Sequence, residues 1–143
     1  PRSTLFPYTT LFRSIMKTIG IGVDIIDNKR IKLSIRNKKF INRIFTKNEI
    51  IKSSKIQNKI SYLSKRFAAK EALAKALGTG FRNGLNYRDI QILNDKIGKP
   101  YYVLDKKIRN LIKKKKRIKN FNLFLSLSDE KDYSIAFTII QSI

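Results

Sequence analysis

Arg66 to Gly80 reads RFAAKEALAKALGTG. Its alanines, leucines and straight-chain Lys70, Glu71 and Lys75 make it the strongest helix former in the chain. Followed back to about Gln57, the segment keeps Ile60, Leu63, Phe67, Ala74 and Leu77 on one stripe, so the spacing predicts a core-facing helix over 57–77. Gly78 stands where helices commonly end on left-handed backbone. Such a helix needs a layer to lie on, and the flanking sequence supplies strands.

Upstream, Thr46 and Glu49 form a T-x-x-E capping box that starts another helix. Phe40, Ile41, Ile44 and Phe45 before it have helical spacing, and Asp27 is a plausible cap for a helix reaching about Ile35. Thr18 to Val23 is a short apolar strand ending at Asp24. Downstream, Asp89–Leu93 and Tyr101–Leu104 are strand candidates joined by a turn at Asn94-Asp95 and Gly98-Lys99-Pro100. Asp105 to about Lys116 is a basic helix. Residues 121–127 and 133–140 alternate, with the DEKD segment at 129–132 as their hairpin turn. In that pair Phe124, Ala136 and Ile140 are expected to face away from Leu123, Leu125 and Phe137. The fold class is α+β: an antiparallel sheet packed against a long helix.

Composition sets the chemistry available. The 143 residues contain no Cys and no His, which excludes disulfides, thiolate metal sites, Cys nucleophiles and imidazole bases. Thirty-two Lys and Arg face ten Asp and Glu, a net charge of +22 that calls for an anionic partner. Ile, Lys and Asn number 23, 22 and 11, so AT-rich coding explains part of that charge. Pro1 to Ile15 is poor in Lys and Asn, and LFPYTTLFRS at 5–14 resembles the translation of a sequencing adapter. Residues 1–15 are therefore expected to be a non-native leader before a single domain over 16–143, whose charge is +20. No apolar run approaches the length of a membrane span, and no membrane partner is expected.

With so few acids, each one is informative. Asp24 follows Gly20 and Gly22, positions where a ligand or another backbone can come close; its simpler reading is a strand-end helix cap. Glu71 could pair with Lys75 one turn on, yet Ala68, Ala69, Ala72 and Ala74 around it imply close packing. If Glu71 faced Asp24, two carboxylates would converge, an arrangement suited to Mg²⁺ with phosphate oxygens and water. Gly78-Thr79-Gly80-Phe81-Arg82-Asn83-Gly84 follows a helix rather than preceding one, so it is no P-loop. It reads either as a flexible helix-end loop or as a backbone cradle beside Lys75 and Arg82 for a phosphate-bearing ligand.

These motifs combine. GIGVD at 20–24, RFAAKEALAKALGTG at 66–80, NDKIGKP at 94–100 and LSLSDE at 125–130 resemble the holo-[acyl-carrier-protein] synthase family, in its order and spacing from about Met16 to Ile143. The resemblance implies a Mg²⁺-dependent 4′-phosphopantetheinyl transferase. It would move the phosphopantetheine arm of coenzyme A onto a serine of an acidic apo acyl carrier protein, leaving adenosine 3′,5′-bisphosphate, in support of fatty acid biosynthesis. It implies a cytoplasmic homotrimer with active sites between subunits. Asp24 and Glu71 fall on the family's metal carboxylates and Lys75 on its lysine near the coenzyme A phosphates. Gly78, Thr79, Gly80, Arg82 and Asn83 then become the coenzyme A loop, and Arg30 the carrier-docking arginine, with Arg36, Lys39 and Arg43 beside it. Some family members have His where this chain has Asp129, so the serine proton must go to a metal-bound water or a carboxylate.

Two rival classes stand against this reading. A nucleic-acid-binding module fits the charge, but no RNP, helix-turn-helix or zinc pattern occurs and no nucleic acid partner is expected. A regulatory coenzyme A-binding protein without activity is opposed by the presence of both Asp24 and Glu71. The run KKKKR at 113–117 matches nothing in the family and reads as a solvated helix end.

Overall fold

The computed structural model describes residues 16–143, and the expected leader at 1–15 lies outside the described residues. The chain runs β1 (Lys17–Asp27), α1 (Asn28–Ser34), α2 (Lys38–Ile44), α3 (Lys47–Ser54) and α4 (Lys59–Leu77). After a 3₁₀ turn at Tyr87–Asp89 come β2 (Ile90–Asn94), β3 (Pro100–Leu104), α5 (Lys106–Lys116), β4 (Phe121–Asp129) and β5 (Tyr133–Ser142). Caps mark the helix starts as the residue types predict. Asp27 accepts from Lys29 N–H, Thr46 and Glu49 bond reciprocally, and Asp105 accepts from Ile108 N–H. Gly78 ends α4 at φ 81°.

The strands form two antiparallel sheets rather than one: β1–β5–β4, and the hairpin β2–β3. α4 crosses the first sheet, and the alanines on its buried face allow the close approach. A Cβ added to Gly22 would stand 1.9 Å from the Ala72 carbonyl oxygen, and one on Gly20 2.3 Å from that of Ala76. The close approach expected at the two glycines is thus made by helix backbone. The second sheet is pinned by Tyr102, whose hydroxyl donates to Ala69 O at 2.7 Å and meets Thr138 Oγ1 at 2.6 Å. Burial keeps this phenol protonated well above its ordinary range.

Two expectations need correction. β1 does not end at Asp24 but continues to Asp27, so Asp24 lies inside a strand opposite Ala136 and caps nothing. In the β4–β5 pair, Leu123 faces Ile140, Leu127 faces Ala136 and Ser126 faces Phe137. Directly paired residues share a side. Ala136 and Ile140 therefore join Leu123 and Leu125 inside, while Phe137 stands outside with Phe124. The outer face of the three-stranded sheet is apolar: Ile21, Val23, Ile25, Phe124, Ile135 and Phe137 are all exposed on it.

Candidate active site

The site is built where α4 lies on β1. Asp24 points from the strand toward the helix, and its residue is only 9% exposed. Lys75 Nζ donates to Asp24 Oδ1 at 2.7 Å and to Val23 O at 3.0 Å. The i,i+4 pair of Glu71 with Lys75 is therefore not made. Glu71, one turn before Lys75, instead accepts from the Tyr87 hydroxyl at 2.5 Å. Both carboxylates raise the Tyr87 phenol, after burial as the largest cause, and hold it far above its ordinary range. The hydroxyl is thus a donor at all physiological pH values, and Asp24 and Glu71 lie on one flank of α4.

Tyr87 is the site residue that the sequence reading missed. Its ring stacks on Phe81 at 3.6 Å and on Phe67 at 5.8 Å. Its carbonyl accepts from Lys70 Nζ at 3.1 Å. Lys70 has no exposed side-chain surface and also donates to Ile44 O and to Glu49 Oε2, at 2.7 and 2.8 Å. The capping-box carboxylate of α3 so anchors the residue that holds Tyr87 against Glu71. Glu49 Oε1 also accepts Ile92 N–H, tying in β2. Burial lowers Lys70 from its ordinary range while Glu49 pulls it back up. No periodicity marks Tyr87; the only hint is an aromatic in the irregular stretch after a glycine loop.

The donor set fits a hard divalent cation. Asp24 Oδ2 is buried with no hydrogen-bond partner, an oxygen left free for a ligand. Among the described residues no group of three or more acidic, His or Cys side chains is placed to hold a metal ion, so any site here rests on two carboxylates. Two carboxylates, with the remaining positions left to substrate oxygen and water, suit Mg²⁺.

The other expected residues fall in separate places. Arg30 lies on α1, Arg36 in the following turn, and Lys39 and Arg43 on α2; all four are exposed. Arg30 borders a small apolar recess with Ile26, Ile31, Phe40 and Phe67, and Lys39 and Arg43 border a second recess with Asn37 and Phe40. Arg43 is near enough to pull the Tyr87 phenol down, which links this basic face to the site. Of the loop residues, Thr79, Arg82 and Asn83 turn toward α5 and line a cavity that Lys75 does not border. Asp129 accepts from Ser61 Oγ at 2.6 Å and Lys65 Nζ at 3.2 Å. The Ser61 hydrogen bond, more than Lys65, holds its carboxyl below the ordinary range, which makes it a poor proton acceptor.

A family model described as the 4′-phosphopantetheinyl transferase superfamily matches residues 20–138. The chain is 56% identical to the holo-[acyl-carrier-protein] synthase of Pelagibacter ubique over 126 residues, covering 88% of this chain and 98% of that one. It is 46% identical to the Clostridium tetani protein of the same name, covering 86% of this chain and 95% of that one. Among solved structures, the holo-[acyl-carrier-protein] synthase of Neisseria meningitidis superposes with a TM-score of 0.76 at 37% identity, covering 87% of this chain and 98% of that one. The Bacillus anthracis enzyme, solved in complex with coenzyme A (3′,5′-ADP), gives 0.74 at 32% identity, covering 90% of this chain and 99% of that one.

Proposed function

This chain belongs to the 4′-phosphopantetheinyl transferase superfamily and is an enzyme of the holo-[acyl-carrier-protein] synthase type, and we propose that Asp24, Glu71 and Lys75 carry its transfer chemistry. The substrates are coenzyme A and an apo acyl carrier protein. The carrier serine oxygen bonds to the pantetheine-side phosphorus of the coenzyme A diphosphate. The bond from that phosphorus to the bridging oxygen breaks, and adenosine 3′,5′-bisphosphate leaves. Residues 16–143 form the transferase domain, which serves fatty acid biosynthesis in the cytoplasm.

The observation that carries the assignment is the Asp24 carboxylate, gripped by Lys75 at one oxygen and buried without a partner at the other. Phosphoryl transfer asks a protein chiefly for alignment and charge neutralisation. When bound by Asp24 and Glu71, Mg²⁺ supplies charge stabilisation on the phosphate oxygens. Lys75, with its side chain 54% exposed, can meet a phosphate without leaving Asp24. Gly78 and Gly80 leave open space beside the backbone at the end of α4, so that backbone can come close to the coenzyme A chain. Asp129 is committed to Ser61 and Lys65, which leaves the serine proton to the other carboxylates or to water. Arg30, Arg36, Lys39 and Arg43 offer a basic docking face to an acidic carrier.

The working assembly is a homotrimer. Six exposed apolar side chains on one sheet face form a patch that other copies of the chain would cover. The number three comes from the family. At this charge, copies repel, so association strengthens with added salt, which sedimentation across a salt series from a Met16 start will show. A monomer that turns over normally at micromolar concentration would sink the trimer. The transfer itself is tested by incubating the chain with coenzyme A, Mg²⁺ and apo carrier and reading the mass gained by the carrier. No gain from a folded chain would refute the assignment.

A further inference from the structure

The cavity between the 78–85 loop and the last turn of α5 encloses about 410 Å³, within the range of small-molecule sites. Its floor is apolar: Leu77, Leu85, Leu111 and Ile112. Around the rim stand four cations, Arg82, Lys114, Lys115 and Arg117, and no carboxylate lines it. Every ion pair among the described residues lies elsewhere, at Lys65–Asp129, Lys70–Glu49 and Lys75–Asp24. Four like charges around one concavity repel one another unless an anion joins them.

The backbone adds an independent sign. Among the described residues just two non-glycine positions have positive φ, Asn83 at 58° and Arg117 at 54°, and both border this cavity. Asn tolerates that region; a long side chain does not suit it well. Arg117 is the left-handed cap of α5, its N–H reaching Lys113 O and Lys114 O, a position where glycine is the inexpensive residue. Lysines in a last helical turn offset the carbonyls there, which accounts for Lys113 and Lys116. It does not account for a strained arginine meeting Arg82 across a cavity.

We propose that this cavity binds a small phosphate-bearing molecule with an apolar body. The four cations hold the phosphates and the aliphatic floor holds the body. The ligand is either the distal phosphate end of coenzyme A or a separate phosphorylated metabolite. The site itself does not depend on the transfer reaction, because the cavity and its charges stand apart from Asp24 and Glu71.

Calorimetric titration of the full chain with inorganic pyrophosphate tests the anion half. Arg117→Gly and Lys115→Gln should each weaken binding by roughly tenfold, the loss of one charge-assisted contact. Arg117→Gly should melt no lower than the parent chain, because glycine suits the cap, so weaker binding there cannot be blamed on unfolding. No pyrophosphate bound by the parent chain, or equal binding by both variants, overturns the proposal. The part of adenosine 3′,5′-bisphosphate binding that Arg117→Gly weakens should be tighter than the corresponding part for pyrophosphate; equal affinity removes the apolar body. A raised KM for coenzyme A at unchanged kcat in the variants identifies the ligand as the substrate's own phosphates. An unchanged KM with weakened pyrophosphate binding identifies a separate metabolite.

Discussion

Two lysines on α4, five residues apart, each grip one carboxylate at nearly the same distance: Lys70 to Glu49 at 2.8 Å and Lys75 to Asp24 at 2.7 Å. They differ in everything else. The first pair has no exposed side-chain surface, all three lysine protons have acceptors, and both carboxylate oxygens are used. The second pair has a half-exposed lysine and a buried oxygen with no partner. Distance does not separate a structural ion pair from a chemical one; completeness does. A closed pair has spent its hydrogen-bonding capacity on the fold, and an open one keeps some for a ligand.

The largest effect should come from opening the closed pair. Lys70→Met leaves Glu49 charged in the core without its ion-pair partner, and should cost about 3–5 kcal/mol in denaturant unfolding. A loss under about 1 kcal/mol would show that Glu49 finds water or another partner there, and the contrast would fail. Next is the open side. Glu71→Gln keeps the shape and the acceptor for Tyr87 but deletes a charge. Transfer should fall by at least about 100-fold, with melting close to the parent. Normal Mg²⁺-dependent turnover would remove Glu71 from the chemistry.

Tyr87→Phe sharpens the comparison, because Tyr87 joins the closed pair to the candidate site, through its carbonyl at Lys70 and its hydroxyl at Glu71. The ring stack survives, so stability should move by only about 1 kcal/mol. The Mg²⁺ concentration for half-maximal rate should rise by roughly tenfold, the usual cost of losing a group that orients a metal ligand. An unchanged Mg²⁺ requirement would make the hydroxyl incidental.

The smallest effect concerns Asp129. Its carboxyl is held below the unfolded value, mainly by Ser61, so it adds stability above about pH 4 that disappears as pH falls through the folded value. Ser61→Ala should therefore lower the melting temperature slightly at pH 7. The gap should close in acid, once the pH has fallen below the folded value. A gap that persists there would mean that Ser61 acts through packing.

Much of the fold could be read from residue types because local chemistry decides it. Asp27, Thr46, Asp105 and Gly78 cap helices where their side chains or backbone freedom demand it, and Gly20 and Gly22 announce a close approach. The outer sheet face was misassigned because alternation within β5 does not say which parity pairs inward; the register with β4 does. Asp24 and Glu71 stood out because acids are scarce in this chain. Glu49 was read as half of a capping box, but its third partner, Lys70, lies 21 residues on and depends on how α3 meets α4. Tyr87, the first residue of the 3₁₀ turn, reaches back to Glu71 across a loop, and no pattern in the sequence encodes that reach.

The contact of Gly22 with Ala72 lies two residues from Asp24 and next to Glu71. The spacing of the two carboxylates is therefore set by main chain resting on main chain. A single methyl group at Gly22 would wedge strand from helix and spread the carboxylates at once. A position that carries no functional group of its own thus governs the placement of those that do.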